Sequence, residues 1–380
     1  MNRFDIKRYS TLYFRIDVAK VFYTMLFVGY LSLFDISFMA NNLLLSEIAT
    51  GIGLFSLLLI FQKIRKEFVP IYVFIGLVPV YIFLSSFMIT RLRPGFGVVL
   101  IFLSNAGIAL MLLRGYIYSW GGYIVFYGLS AYCLWGIIAG TPIQTFSATG
   151  SFNSISIILL QNCIPLYLAL SVENKKLDLI PVILTLVISI WGRGTSGVLS
   201  SSILFIGLFF IYFKFKPKYV FISIIIYLFL SYLFLDIIIK FVFDYLNARA
   251  TFDYLITKET MHNERMYIWS NYFSHLDLLS ILFGTDLFRD NFMGFYLYNY
   301  HNSYIALHSQ AGFIGIIIFA LICFSLFKFY RTNHIFFFLL LSITLRSMTD
   351  VGNFFTLGDF IFYFFIFDVI TSELPAKKET

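Results

Sequence analysis

Two of the five histidines and a scatter of arginines are the residues in this chain whose types and spacing could do chemistry at neutral pH. His301 and Asn302 precede a long apolar run, NYHNSYIALHSQAGFIGIII over residues 299–318, and His308 lies inside it. An imidazole titrates near neutrality, so at a water-facing membrane edge His301 can take a proton from a hydroxyl or hydrogen-bond to a phosphate. A ring deeper in the run must find a partner among packed helices, which is the structural role expected of His308. The arginines are Arg91 and Arg93 in RLRPG, Arg193 in GRGTSG, Arg265 in HNERMYIW, and Arg346 near the end of a late apolar run. A guanidinium fork grips two oxygens at once, whereas lysine is a hydrated point charge. Such a set suits an anion with several oxygens. For each arginine, pairing with a carboxylate or a lipid head group is the alternative.

These residues need elements to hold them. A helix entering near residue 303 predicts one face shared by His301, Tyr304, His308, Gly312 and Gly315. Seven residues separate the histidines, about 10 Å along such an axis, so they cannot both touch one reacting atom. His301 then lies at the water boundary and His308 about two turns deeper. Upstream, Arg265, Ile268, Trp269 and Phe273 have helical spacing. They predict an amphipathic helix lying on the membrane, with Arg265 over the bundle mouth.

The composition demands a bilayer. Of 380 residues, 60% are hydrophobic and 12% charged, and the mean hydropathy is +0.86. A soluble fold of this length could not hide that much apolar surface. Windows of roughly 20 apolar residues predict an all-α integral membrane protein with about twelve transmembrane helices. They lie near 18–38, 42–62, 68–89, 96–113, 116–138, 154–172, 178–192, 197–213, 219–238, 303–327, 334–349 and 355–372. The organisation is nine helices over 1–239, one large polar loop with an amphipathic helix over 240–302, and three helices with a tail over 303–380. The basic start leads into the first apolar run without a small-residue cleavage site, which predicts a retained first span. With a cytoplasmic N-terminus, 18 of the 27 Lys and Arg fall inside. That split obeys the positive-inside rule and makes the large loop extracytoplasmic and both termini cytoplasmic. The net charge of +7 is then a topology signal, and no nucleic-acid partner is expected. Cys133, Cys163 and Cys323 each sit in an apolar run and suggest neither a disulfide framework nor a Cys metal site.

At this point the residues resemble a family. His301-Asn302, nine residues, then Gly312-x-x-Gly315 is similar to the signature of the O-antigen polymerase and O-antigen ligase superfamily of bacterial inner membranes. GSFNS at 150–154 resembles the family's Gly-x-Phe-x-Asn segment. WGRGTSGVLSSS at 191–202 resembles its Ser-x-Arg-x stretch that opens the next outward-facing helix, with Arg193 at the arginine. ERMYIW followed by LFGTD resembles its Arg-x-x-x-Trp and Phe-Gly-x-Gly segments, with Arg265 at the arginine and Thr285-Asp286 in place of the usual turn. The resemblance covers about residues 145–330. It implies a GT-C-like glycosyltransferase acting on undecaprenyl diphosphate-linked oligosaccharides, as donor and acceptor, outside the cytoplasm. A chain-length regulator is an implied partner, membrane lipid a further one, and no cofactor is expected.

In that chemistry the diphosphate leaves as negative charge, and arginine stabilises it. Arg193 and Arg265 are assigned to it, with Arg91, Arg93 and Arg346 secondary. His301 takes the acceptor proton or orients the phosphate, with Asn302 and His308 as further candidates. Asp-x-Asp, which metal-dependent transfer from nucleotide sugars normally needs, is absent from the chain, so metal-independent transfer is expected. One of Asp253, Glu259, Glu264, Asp286 and Asp290 is the alternative base. Two further readings stand beside a polymerase: a ligase that moves glycan to lipid A–core, and a transporter of lipid-linked sugars. Against the transporter, no twofold internal repeat is evident and the charged candidates gather at one membrane face. Glu47, within the second predicted span, is the main exception, and a hydrogen-bonded structural role is expected of it.

Overall fold

The computed structural model describes residues 17–62, 64–89, 95–142, 145–146, 154–214, 225, 265–286, 291–294, 299–349 and 353–372. Among these, every regular element is helical. The order is α1 (Val18–Ala40), α2 (Leu43–Phe61), α3 (Val69–Met88), α4 (Phe96–Leu113), α5 (Ser119–Ile138), α6 (Ser154–Val172), α7 (Ile180–Trp191) and α8 (Thr195–Tyr212). After α9, residues 265–274, come α10 (Leu278–Phe283), α11 (Ser303–Ala311), α12 (Phe313–Thr332), α13 (His334–Ser347) and α14 (Phe360–Ser372). Among the described residues, eight helices are long and apolar enough to cross a membrane: α1 to α6, α8 and α12. The chain is thus a multi-pass helical membrane protein. α7, α13 and α14 are apolar but shorter. The predicted ninth span at 219–238 except residue 225, residues 240–264 of the loop with Asp253, Glu259 and Glu264, Asp290, Gly150 to Asn153, and Arg91 and Arg93 lie outside the described residues.

Local chemistry sets the helix ends. Asp17 accepts the Lys20 N–H to start α1, and Asn41 ends it in the left-handed region at φ 49°. Asn42 then accepts the Leu45 N–H to start α2, so two asparagines make the reversal. Pro70 and Pro181 stand in the first turns of α3 and α7, where a missing N–H costs nothing. α2 and α4 cross closely, because a Cβ on Gly107 would stand 2.9 Å from the Leu57 backbone nitrogen. Small residues let helix backbones approach in lipid.

α6 is the centre. Its residues from Ser154 to Leu170 are buried, and it packs against α4, α5, α7, α8, α13 and α14. α14 is equally enclosed from Phe360 to Phe367. Several polar groups in this core pair across helices. Asp35 on α1 accepts from Asn162 on α6 at 2.8 Å. Tyr30 and Asn105 hold the loop before α14 through the carbonyls of Leu357 and Thr356. Glu47 departs from expectation. It is exposed in the second turn of α2, and the structural carboxylates are instead Asp35 and Asp359.

At the end of the bundle where α1 begins and α6 ends, Glu173 receives Lys20 and Lys175, each at 2.9 Å, and the Ser119 N–H at 3.0 Å. Burial alone would raise this carboxyl, but the hydrogen bonds from Lys175, Ser119 and Lys20 outweigh it and hold it at about 2. A depressed carboxylate stabilises the fold above its ordinary range near 4.5, and this contribution fades as pH falls from there towards 2. Glu173→Gln should therefore lower the thermal midpoint in detergent at pH 7. It should also flatten the midpoint's acid dependence in that window. An unchanged profile would remove Glu173 from the balance.

Candidate functional site

The predicted tenth span, a continuous helix over 303–327, is corrected by the structure. α11 ends at Ala311 and α12 begins at Phe313, with Gly312 between them at φ 52° and ψ −130°. The reason lies in α10, whose last residues wedge into the break. A Cβ on Gly312 would overlap the Leu282 carbonyl. The Tyr81 and Ser85 hydroxyls of α3 bond the carbonyls of Leu282 and Phe283 from the other side. His301, Tyr304, His308, Gly312 and Gly315 thus do not share one helical face. The last predicted span is also shorter than expected. Residues 353–359 form a buried loop before α14, with Phe354 and Phe355 at positive φ. Asp359 takes the N–H groups of Phe354 and Thr356, offering the backbone an alternative to helix.

Each member of the site is held by a local device. Asn302 caps α11 by accepting the N–H groups of Tyr304 and Ile305. His301 sits just before this cap at φ 52°, half-buried, with its N–H on the Asn299 side chain at 2.8 Å. Such an Asx-type turn suits a histidine in the left-handed region. α9 buries Ile268 and Tyr272 and half-buries Trp269, whose indole N–H donates to the Tyr300 carbonyl at 2.9 Å. Thr285, which follows α10, docks on α11. Its N–H donates to the Ser309 carbonyl and its hydroxyl to the Ser309 hydroxyl, both at 2.9 Å.

These elements enclose a cavity of about 420 Å³ whose polar lining includes Tyr272, Asn302 and His308. The rest of its wall is aromatic and aliphatic, with Trp269, Phe273, Tyr304 and Phe319 prominent. It opens beside exposed apolar residues: Phe273, Ile316 on α12 and Met348 after α13 all line it and are exposed. His308, on α11, has two partners. Its Nδ1 lies 2.6 Å from the Tyr272 hydroxyl and its Nε2 3.2 Å from the Ile281 carbonyl.

The expected residues are brought together in part. Asn302 and His308 line the cavity, and His301 adjoins Asn302 in the chain. Arg265 is half-buried at the start of α9. It lies four residues before Trp269 and seven before Tyr272, at helical spacing to both, but does not itself line the cavity. Arg346 is buried, 1% exposed, and donates to the Thr349 hydroxyl at 3.4 Å. It stands between Met348 and Thr344, whose carbonyl accepts the Tyr304 hydroxyl. Arg193 is exposed in the turn between α7 and α8, at φ 57°, and does not line the cavity.

Sequence reasoning missed a buried polar junction behind this wall. Asn353 accepts from Gln161 of α6 at 3.0 Å and donates to the Ser347 hydroxyl at 2.7 Å. Its backbone N–H reaches the Ser303 hydroxyl at 3.3 Å, next to Asn302. One amide therefore ties the residue beside Arg346 to the first residue of α11. The signal was present as Asn353 and Asp359 in an otherwise apolar stretch, where polar groups must find partners. Tyr272 carried no signal of its own in sequence. No protein family, no curated protein and no solved structure matches the chain.

Proposed function

We propose that the chain is a metal-independent glycosyltransferase, an O-antigen-type polymerase that joins undecaprenyl diphosphate-linked oligosaccharide repeat units. In this reading it has about twelve spans and a GT-C-like arrangement in the bacterial inner membrane. The site faces away from the cytoplasm. One observation carries the reading: the cavity, where Tyr272, Asn302 and His308 meet an aromatic wall that opens beside the apolar flank of α12. A lipid-linked sugar has this composition, with a greasy tail, a sugar face for aromatic contact and hydroxyls for a few placed polar groups.

Chemically, the bond from the donor's anomeric carbon to the diphosphate oxygen breaks and its electron pair leaves with the diphosphate. The acceptor hydroxyl forms the new glycosidic bond and loses its proton. Arg265 and Arg193 meet the charge that grows on the leaving group, which lowers the barrier more than it tightens binding. His301, held beside Asn302 at the mouth, orients the phosphate. Arg346 remains a secondary cation behind the wall.

Deletion of the gene in its own host provides the test, read by gel analysis of the surface polysaccharide. Single repeat units on lipid A–core, restored to polymer by the wild-type gene and not by His301→Ala, are the expected result. A bare core with polymer held on undecaprenyl lipid would identify a ligase instead. Purified protein that moves lipid-linked oligosaccharide across liposomes without forming a glycosidic bond would identify a transporter.

A further inference from the structure

We infer that Tyr272 and His308 form the proton-accepting pair of the transfer step, a role the family-like motif places on His301. The inference rests on the glycosyltransferase reading above.

The geometry sets the tautomer. A backbone carbonyl only accepts, so the 3.2 Å contact with Ile281 requires the hydrogen on His308 Nε2. His308 Nδ1 is then a bare acceptor, and the Tyr272 hydroxyl donates to it at 2.6 Å. Both side chains line the cavity. The ring planes stand nearly perpendicular, with centroids 6.0 Å apart, so the hydroxyl reaches the imidazole edge where the lone pair lies. A tyrosine whose proton already points at an imidazole can accept another proton from a third hydroxyl.

The rest of the fold holds this pair in place. Tyr272 is braced edge-on by Tyr300, with centroids 5.1 Å apart. Tyr300 is itself tied to Trp269 of α9 and Ser309 of α11. Ile281 belongs to α10, which the break at Gly312 admits. Three elements thus converge on one imidazole, and the Ile281 carbonyl fixes its tautomer and orientation. That is the arrangement a general base needs before it reacts.

The step balances. The acceptor hydroxyl passes its proton to the Tyr272 oxygen as Tyr272 passes its own to His308 Nδ1. The acceptor oxygen attacks the anomeric carbon, and the bond to the diphosphate breaks with the electron pair leaving on phosphate. The imidazolium so formed keeps its Nε2–H on the Ile281 carbonyl. It releases the extra proton once the product hydroxyl or water exchanges at Tyr272.

The test uses full-length protein in liposomes and lipid-linked oligosaccharide extracted from the host that lacks the gene. Tyr272→Phe keeps the ring and its packing and removes only the hydroxyl. Its turnover should fall on the order of 100-fold, with KM and thermal midpoint unchanged. His308→Gly should fall similarly, and added imidazole should restore turnover. 1,2,4-Triazole, of the same shape and a far weaker base, should not. Turnover at the wild-type level in Tyr272→Phe would overturn the inference, whatever the folding of the histidine variant. Equal rescue by imidazole and triazole would reduce His308 to a packing group. Wild-type protein that makes no glycosidic bond would instead remove the glycosyltransferase reading.

Discussion

Arg265→Ala should stop chain extension, lowering turnover by about 100- to 1,000-fold, the usual effect of removing one donor aimed at developing charge. The protein should still reach the membrane in normal amount, because Arg265 lies at the start of α9 and the buried side chains of that helix are Ile268 and Tyr272. The size of the effect follows from what leaves. A sugar diphosphate gains charge on its bridging oxygen as the anomeric bond stretches, so a cation there favours the transition state over the bound substrate. KM for the lipid-linked unit should therefore change much less than turnover. Lysine should recover only part of the rate, since it keeps the charge and loses the fork that spans two phosphate oxygens. Arg193→Ala gives a useful comparison. Neither arginine lines the cavity, but Arg265 begins the helix that supplies Trp269, Tyr272 and Phe273 to its wall, whereas Arg193 is exposed between α7 and α8. Should Arg193→Ala abolish polymer while Arg265→Ala leaves it intact, the diphosphate would belong at the α7–α8 turn. Polymer of normal amount from both variants would remove arginine from the chemistry. The assay is polymer formed from extracted lipid-linked units, with membrane level checked by immunoblot.

How much of this was legible in the sequence depends on the distance over which each feature is decided. The second span, expected at 42–62, is the helix Leu43–Phe61. Its ends are set by adjacent residues, an Asn cap at one end and the charged KIRK stretch beyond the other. Hydropathy and capping read such elements well because both are local. A helix over 265–274, holding Trp269, was legible for the same reason. Its bonded partners were not. Tyr272 meets His308 across 36 residues, Tyr30 meets Leu357 across 327, and Gln161 meets Asn353 across 192. In lipid a polar side chain must find a partner, so sequence announces that a bond exists without naming the other end. His308 illustrates this: a hydrogen-bonded role was expected, and two such bonds are present. The shared face of His301 and His308 was lost for a different reason. A window of some twenty residues averages over His308, Ser309 and Gln310 before Gly312, and hydropathy cannot register a break whose cause is α10, thirty residues upstream.

That break is also where one substitution should do most damage. Gly312→Ala should abolish activity and lower the thermal midpoint in detergent. Two effects add. At φ 52° and ψ −130°, a residue with a Cβ stores about 1–3 kcal/mol of backbone strain. The new methyl also points at the Leu282 carbonyl, which cannot swing aside. It cannot because the carbonyl already accepts the Tyr81 hydroxyl, while Ser85 holds that of Phe283. Relief then requires α10 to leave its seat. α10 carries Ile281, whose carbonyl sets the His308 tautomer, and it leads directly to Thr285, which docks on Ser309. The expected loss of turnover is therefore larger than the loss of stability alone explains. Gly51→Ala and Gly128→Ala supply the controls, since a Cβ at either meets nothing within 4 Å. Both lie within helices, where alanine is favoured over glycine by up to about 1 kcal/mol, so their midpoints should hold or rise. If Gly312→Ala melts and turns over as these controls do, α11 and α12 tolerate an ordinary junction, and α10 does not act as the wedge that aligns His308.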